Sequence, residues 1–195
     1  MTMKHFTLTL FFVALGWLAH GQDFSAEWER EINYRKTGMT VLGTWAVANL
    51  ASGLALRANS EGSTRYFHEM NALWNTVNLG IAAAGYYGAT RLGTESGWMA
   101  LHSEATTLDK TLLFNAGLDL AYIAGGLYMT ERSRRVGENS DRWLGYGRSV
   151  MVQGAFLFLF DVGMVIVHPE LQLPEGLSFG LAPGALEPIR LSYRF

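Results

Sequence analysis

The sequence predicts an all-α membrane protein: a four-transmembrane-helix antiparallel bundle behind an N-terminal signal peptide, with a short C-terminal β-hairpin-like tail. Three observations predict it. Charged residues make up only 16% of the chain and hydrophobic ones 49%, against a usual charged share of about 25%. The charges are bunched at 23–36, 57–69, 91–110, 131–148 and in the tail, which leaves long stretches almost free of them. The polar residues inside those stretches recur at helical spacing on single faces.

Residues 1–21 read as a secretory signal. Lys4 supplies the positive start, Phe6 to Leu18 an apolar run too short to span comfortably, and Ala19-His20-Gly21 a small-residue cleavage site. Left uncleaved, the same segment would make a fifth helix. Residues 22–36 follow as an amphipathic helix, with Phe24, Trp28 and Ile32 every four residues beside a charged face. That pattern suits a helix lying on the membrane surface with its aromatics at headgroup depth, or one packed on the bundle.

The domain over 37–168 holds four apolar segments, at about 37–56, 67–89, 108–129 and 143–167. Each has 20 residues or more and no proline, enough to cross a hydrocarbon core. Glycines such as Gly43, Gly53, Gly85, Gly126 and Gly154 suit close helix contact in lipid. The loops set the orientation. Arg57 and Arg65 follow the first segment, and Arg132, Arg134, Arg135 and Arg142 follow the third. The arginine-rich loops belong in the cytoplasm, so both termini lie outside it, in a multi-pass protein of a bacterial cell membrane. The tail, 169–195, alternates Ile189, Leu191, Tyr193 and Phe195 with polar residues. Leu177 to Leu181 stands as a hairpin partner. A closed barrel needs at least eight such strands, which this chain lacks.

The candidate binding residues are the polar ones at membrane depth: Asn49, Asn75, Asn78, Asn115, Asp119, Gln153 and Asp161. Lipid cannot satisfy amides or carboxyls, so the stripes that carry them should face one another. Counted along the chain, Asn49, Asn78 and Asp119 fall at mid-span. Asn115 and Asp161 fall nearer the outer surface, and Asn75 and Gln153 nearer the cytoplasm, with Arg148 close to that boundary. On that count Asp119 faces Asn49 and Asn78 and hydrogen-bonds an amide.

The runs Phe67 to Asn75 with Asn78-Leu79, Asn115 to Asp119, and Gln153 to Leu157 with Phe160-Asp161 resemble an uncharacterised family of bacterial four-helix integral membrane proteins, over about residues 24–168. The resemblance implies an architecture and no activity.

Other chemistry is argued away. The chain has no cysteine, which excludes disulfides and thiolate metal sites. A net charge of −2 gives no case for nucleic acid. Gly176-Leu-Ser178-Phe-Gly180 matches a nucleophile elbow in letters, but no histidine follows it. His68, His102 and His168 show no ligand spacing. The expectation is therefore no catalytic residue, no cofactor and no metal. The lipid bilayer is the expected partner, together with a small polar ligand or ion bound in, or passed through, the bundle interior. The alternative is a structural or partner-binding module with a sealed hydrogen-bonded core.

Overall fold

The computed structural model describes residues 23–93, 97–135, 137–171, 177–180 and 190–193. Four long helices carry the fold: α1 (Ser25–Ala58), α2 (Gly62–Ala89), α3 (Trp98–Ser133) and α4 (Ser140–Val167). Two four-residue strands, β1 (Leu177–Gly180) and β2 (Arg190–Tyr193), pair antiparallel with Leu177 opposite Tyr193. The signal segment expected at 1–21 lies outside the described residues, as does most of the tail around the two strands.

Short connections make successive helices antiparallel. Between α1 and α2 only residues 59–61 intervene, and Gly62 opens α2 at φ +55°, a left-handed conformation open to glycine. Packing then joins α1 to α2, α3 to α4, and α2 to α4, while the backbones of α2 and α3 do not come together. Glycine placement explains the difference. A Cβ on Gly126 would lie 2.6 Å from the carbonyl oxygen of Gly147, and one on Gly154 2.9 Å from that of Asp119. These positions let α3 and α4 touch at the backbone. Gly53 does the same for α1 on α2 (2.9 Å from His68 O), and Gly145 for α4 on α2 (2.7 Å from Phe67 N). No described glycine serves the α2–α3 edge, where Trp74 and Tyr122 meet edge to face at 4.9 Å between centroids.

One expectation is corrected. Residues 23–36, the described part of the expected surface helix, do not stand alone: from Ser25 the chain runs unbroken to Ala58. Nothing between these positions breaks a helix, and the face that reads as interfacial packs inward, with Trp28 and Glu31 buried. Among the described residues, three helices are long and apolar enough to cross a membrane by length and composition: α1, α3 and α4. α2 has the length, at 28 residues, but Asn71, Asn75 and Asn78 lower its mean hydropathy. All three are buried inside the bundle. Its outward face carries Leu73, Val77, Ile81 and Tyr87, all exposed. Exposed apolar side chains of this size continue around the other helices, including Val47, Leu54, Leu120, Leu127, Leu159 and Ile166. The bundle is thus polar within and apolar without.

Candidate functional site

Polar side chains occupy the bundle interior in successive levels. At the end near residues 59–61 and 134–139, Glu69 of α2 accepts hydrogen bonds from Arg57 Nε (2.8 Å) and the hydroxyl of Tyr146 (2.6 Å), tying α1, α2 and α4. Ser140 closes the same end by donating to the carbonyl of Ser133 at 2.9 Å.

The next level is a closed loop of amides. Trp45 Nε1 donates to Gln153 Oε1 (3.1 Å), and Gln153 Nε2 to Asn71 Oδ1. Asn71 Nδ2 donates to Asn49 Oδ1 (3.1 Å), and Asn49 Nδ2 back to the carbonyl of Trp45 (2.9 Å). The loop joins α1, α2 and α4, and the Trp45 ring stacks on Phe156 at 3.8 Å. A branch leaves it along α2: Asn75 Nδ2 donates to the carbonyl of Asn71 (2.8 Å) and Asn78 Nδ2 to Asn75 Oδ1 (3.3 Å). Gln153 and Asn75 are wholly buried. Buried amides are costly unless paired, and here the pairs are supplied by three helices at once.

Above the amides the interior opens. A cavity of about 160 Å3 is lined by Trp74, Asn78, Asn115, Asp119, Tyr122 and Asp161, with Leu42, Leu157 and Phe160 as its apolar wall and Val77, Ile81 and Leu118 at its edge. Asp119 and Asp161 are 3% and 5% exposed. Their carboxyls lie within mutual hydrogen-bonding reach. Asp119 Oδ2 is buried without a partner among the described residues. No Lys, Arg or His among the described residues lines the cavity. Two carboxylates this close repel, and a shared proton or a bound cation relieves the repulsion.

This geometry departs from the depths counted along the chain. Gly154 sits level with Asp119, so Asp161 starts about 10 Å further along at about 1.5 Å per residue. Side chains of a helix lean toward its N-terminus, and α3 and α4 are antiparallel. The two acids therefore lean toward each other and close most of the gap. Asp119 meets Asp161 and not an amide, Asn49 belongs to the amide level, and Arg148 faces outward and is exposed.

A further cluster caps the other end. The two ring nitrogens of His168 face Asp109 Oδ1 (2.6 Å) and Glu31 Oε2 (2.8 Å). Arg35 holds the second oxygen of Glu31 (2.6 Å) and the carbonyl of Glu104 (2.8 Å). Tyr34 stacks on His168 at 4.6 Å and donates its hydroxyl to the carbonyl of Met164. Sequence periodicity missed this cluster, because its members lie on α1, α3 and the residue after α4. The one available signal was the pair of unlike charges Glu31 and Arg35 four residues apart. No group of three or more His, Asp or Glu side chains among the described residues is arranged to hold a metal ion.

Of the seven candidate residues, Asn49, Asn75 and Gln153 come together in the amide level, Asn115, Asp119 and Asp161 at the cavity, and Asn78 joins the two. All seven fall within residues 41–162, which match a family described as "Family of unknown function (DUF6992)". No curated protein and no solved structure matches the chain.

Proposed function

Because the chain belongs to this DUF6992 family of unknown function, its activity has to be read from its own residues, and we propose that it is an integral membrane protein that binds a small polar solute or cation at the Asp119–Asp161 cavity. One observation carries the reading. A cavity reaches two buried carboxyls, and one of their oxygens has no partner among the described residues. Two buried acids side by side, with no basic side chain among the described residues at the cavity, favour a bound positive charge between them. The amide loop supports the structural alternative for its own level. Its bonds are closed, and it separates the cavity from the arginine-rich end, which favours binding over passage.

Four spans accompany the proposal. Lipid meets only the outer face of a helix, and the outer face of α2 is apolar although its average is not. With four spans, the arginines at 57–65 and 132–142 lie in the cytoplasm and both termini outside a bacterial cell membrane, in line with the positive-inside rule. The tail and the arginine loops are then the surfaces open to protein partners.

Binding of labelled methylammonium to the purified protein tests the site. The wild type should bind saturably. Asp119→Asn should lose binding by about tenfold or more, as for a charge-assisted hydrogen bond, and keep its melting temperature. Equal binding by wild type and Asp119→Asn would remove the carboxyl pair from the proposal.

A further inference from the structure

The mouth of the cavity specifies more than its floor. Val77 and Ile81 of α2 and Leu118 of α3 line the cavity and are also 62%, 54% and 39% exposed. The opening therefore lies sideways, between α2 and α3, through the apolar outer surface of the bundle. It lies where the two backbones stand apart and no described glycine draws them together. Toward one end the amide loop closes the interior. Toward the other, the contacts of Arg35 with Glu104 and of His168 with Glu31 and Asp109 join α1, α3 and the end of α4.

Depth adds a second constraint. Asp119 is followed by 14 residues of α3 and preceded by 21, about 20 and 30 Å of helix at 1.5 Å per residue. In a membrane this places the mouth among acyl chains. A molecule that partitions into the bilayer arrives at it directly.

Size and chemistry then select the occupant. A cavity of about 160 Å3 is well below the ~300–1,000 Å3 that encloses a drug-sized ligand. Only a head group fits inside, and the remainder must lie outside along Val77, Ile81 and Leu118. The head meets two carboxyls, the amides of Asn78 and Asn115, and the rings of Trp74 and Tyr122. An unpartnered carboxyl oxygen asks for an N–H donor, and the aromatic pair favours positive charge.

Resting on the cavity-binding reading above, we infer that the ligand is a lipophilic primary amine, which enters laterally from the bilayer and sets its ammonium between Asp119 and Asp161 while its hydrocarbon chain stays in lipid.

The test measures binding of labelled dodecylamine to the full chain in phosphatidylcholine nanodiscs, against empty nanodiscs. Methylammonium and dodecanol serve as the short cation and the neutral chain. Saturable dodecylamine binding is expected, weakened about tenfold or more in Asp119→Asn and not displaced by dodecanol. Leu118→Trp, and independently Val77→Trp, change exposed positions at the mouth. Each should block dodecylamine and leave the melting temperature unchanged. Dodecylamine binding that both tryptophan variants leave intact overturns the lateral route, and displacement by dodecanol overturns recognition of the charge. Methylammonium binding that depends on Asp119, without dodecylamine binding, sinks this inference and leaves the cavity reading standing. If neither amine binds, both fall.

Discussion

Asp119 and Gln153 are both buried polar side chains inside apolar helices, yet their replacement should have different effects. Gln153 accepts from Trp45 and donates to Asn71, so Gln153→Leu leaves the indole N–H of Trp45 without its acceptor and takes one of two donors from Asn71 Oδ1. The expected cost is about 1–3 kcal/mol for the unsatisfied group. Asp119 faces another carboxyl, and Asp119→Asn replaces that repulsion with an amide that can donate to Asp161. Thermal unfolding in detergent should show a clear loss for Gln153→Leu and none for Asp119→Asn. A large loss in Asp119→Asn would mean that its carboxylate has an essential partner. The polar stripes were legible in the sequence because helical periodicity alone places Asn71, Asn75 and Asn78 on one face. The meeting of Asp119 with Asp161 was not. Counting residues locates Cα atoms, whereas contact depends on which way side chains lean in antiparallel helices.

At the level of the helices, glycines divide into those that set a contact and those that do not. Gly147→Ala would drive a Cβ to 2.7 Å from the Gly126 carbonyl and should cost about 1–3 kcal/mol, as overpacking does. Gly117→Ala and Gly163→Ala meet nothing within 4 Å and should be neutral or stabilising by up to about 1 kcal/mol. Unfolding of the three variants side by side checks the division. Equal effects would remove the glycines as the cause of close approach. The cluster at the far end makes a separate prediction. His168→Ala should free the first turns of α1, seen as faster hydrogen exchange over 25–36 with little change in α2. Unchanged exchange there would show that Trp28 alone holds the segment. Helix existence and type were readable from apolar runs without proline. The continuity of α1 was not, since a charged, amphipathic stretch reads alike whether it lies on a membrane or packs on neighbouring helices.

For the whole molecule, the choice between three and four spans fixes which side each end occupies. In this cysteine-free chain, Glu138→Cys places a single thiol at an exposed site in the α3–α4 connection, and Glu29→Cys one on an exposed site near the start of α1. With four spans and the termini outside, an impermeant reagent applied to intact cells should label Glu29→Cys and spare Glu138→Cys until the membrane is opened. External labelling of Glu138→Cys would reverse the orientation. The sequence shows four helices of similar length and cannot rank their contacts. The ranking comes from the glycines, which draw together every principal pair and leave the α2–α3 edge propped by Trp74 and Tyr122. One further property belongs to the bundle as a unit. From Asn78 through Asn75 and Asn71 to Asn49 and the carbonyl of Trp45, every N–H donates away from the acid pair. The array is electrically polarised, with the carbonyl of Asn78 as its negative pole on the cavity side. Positive charge is drawn toward that pole and negative charge is turned away.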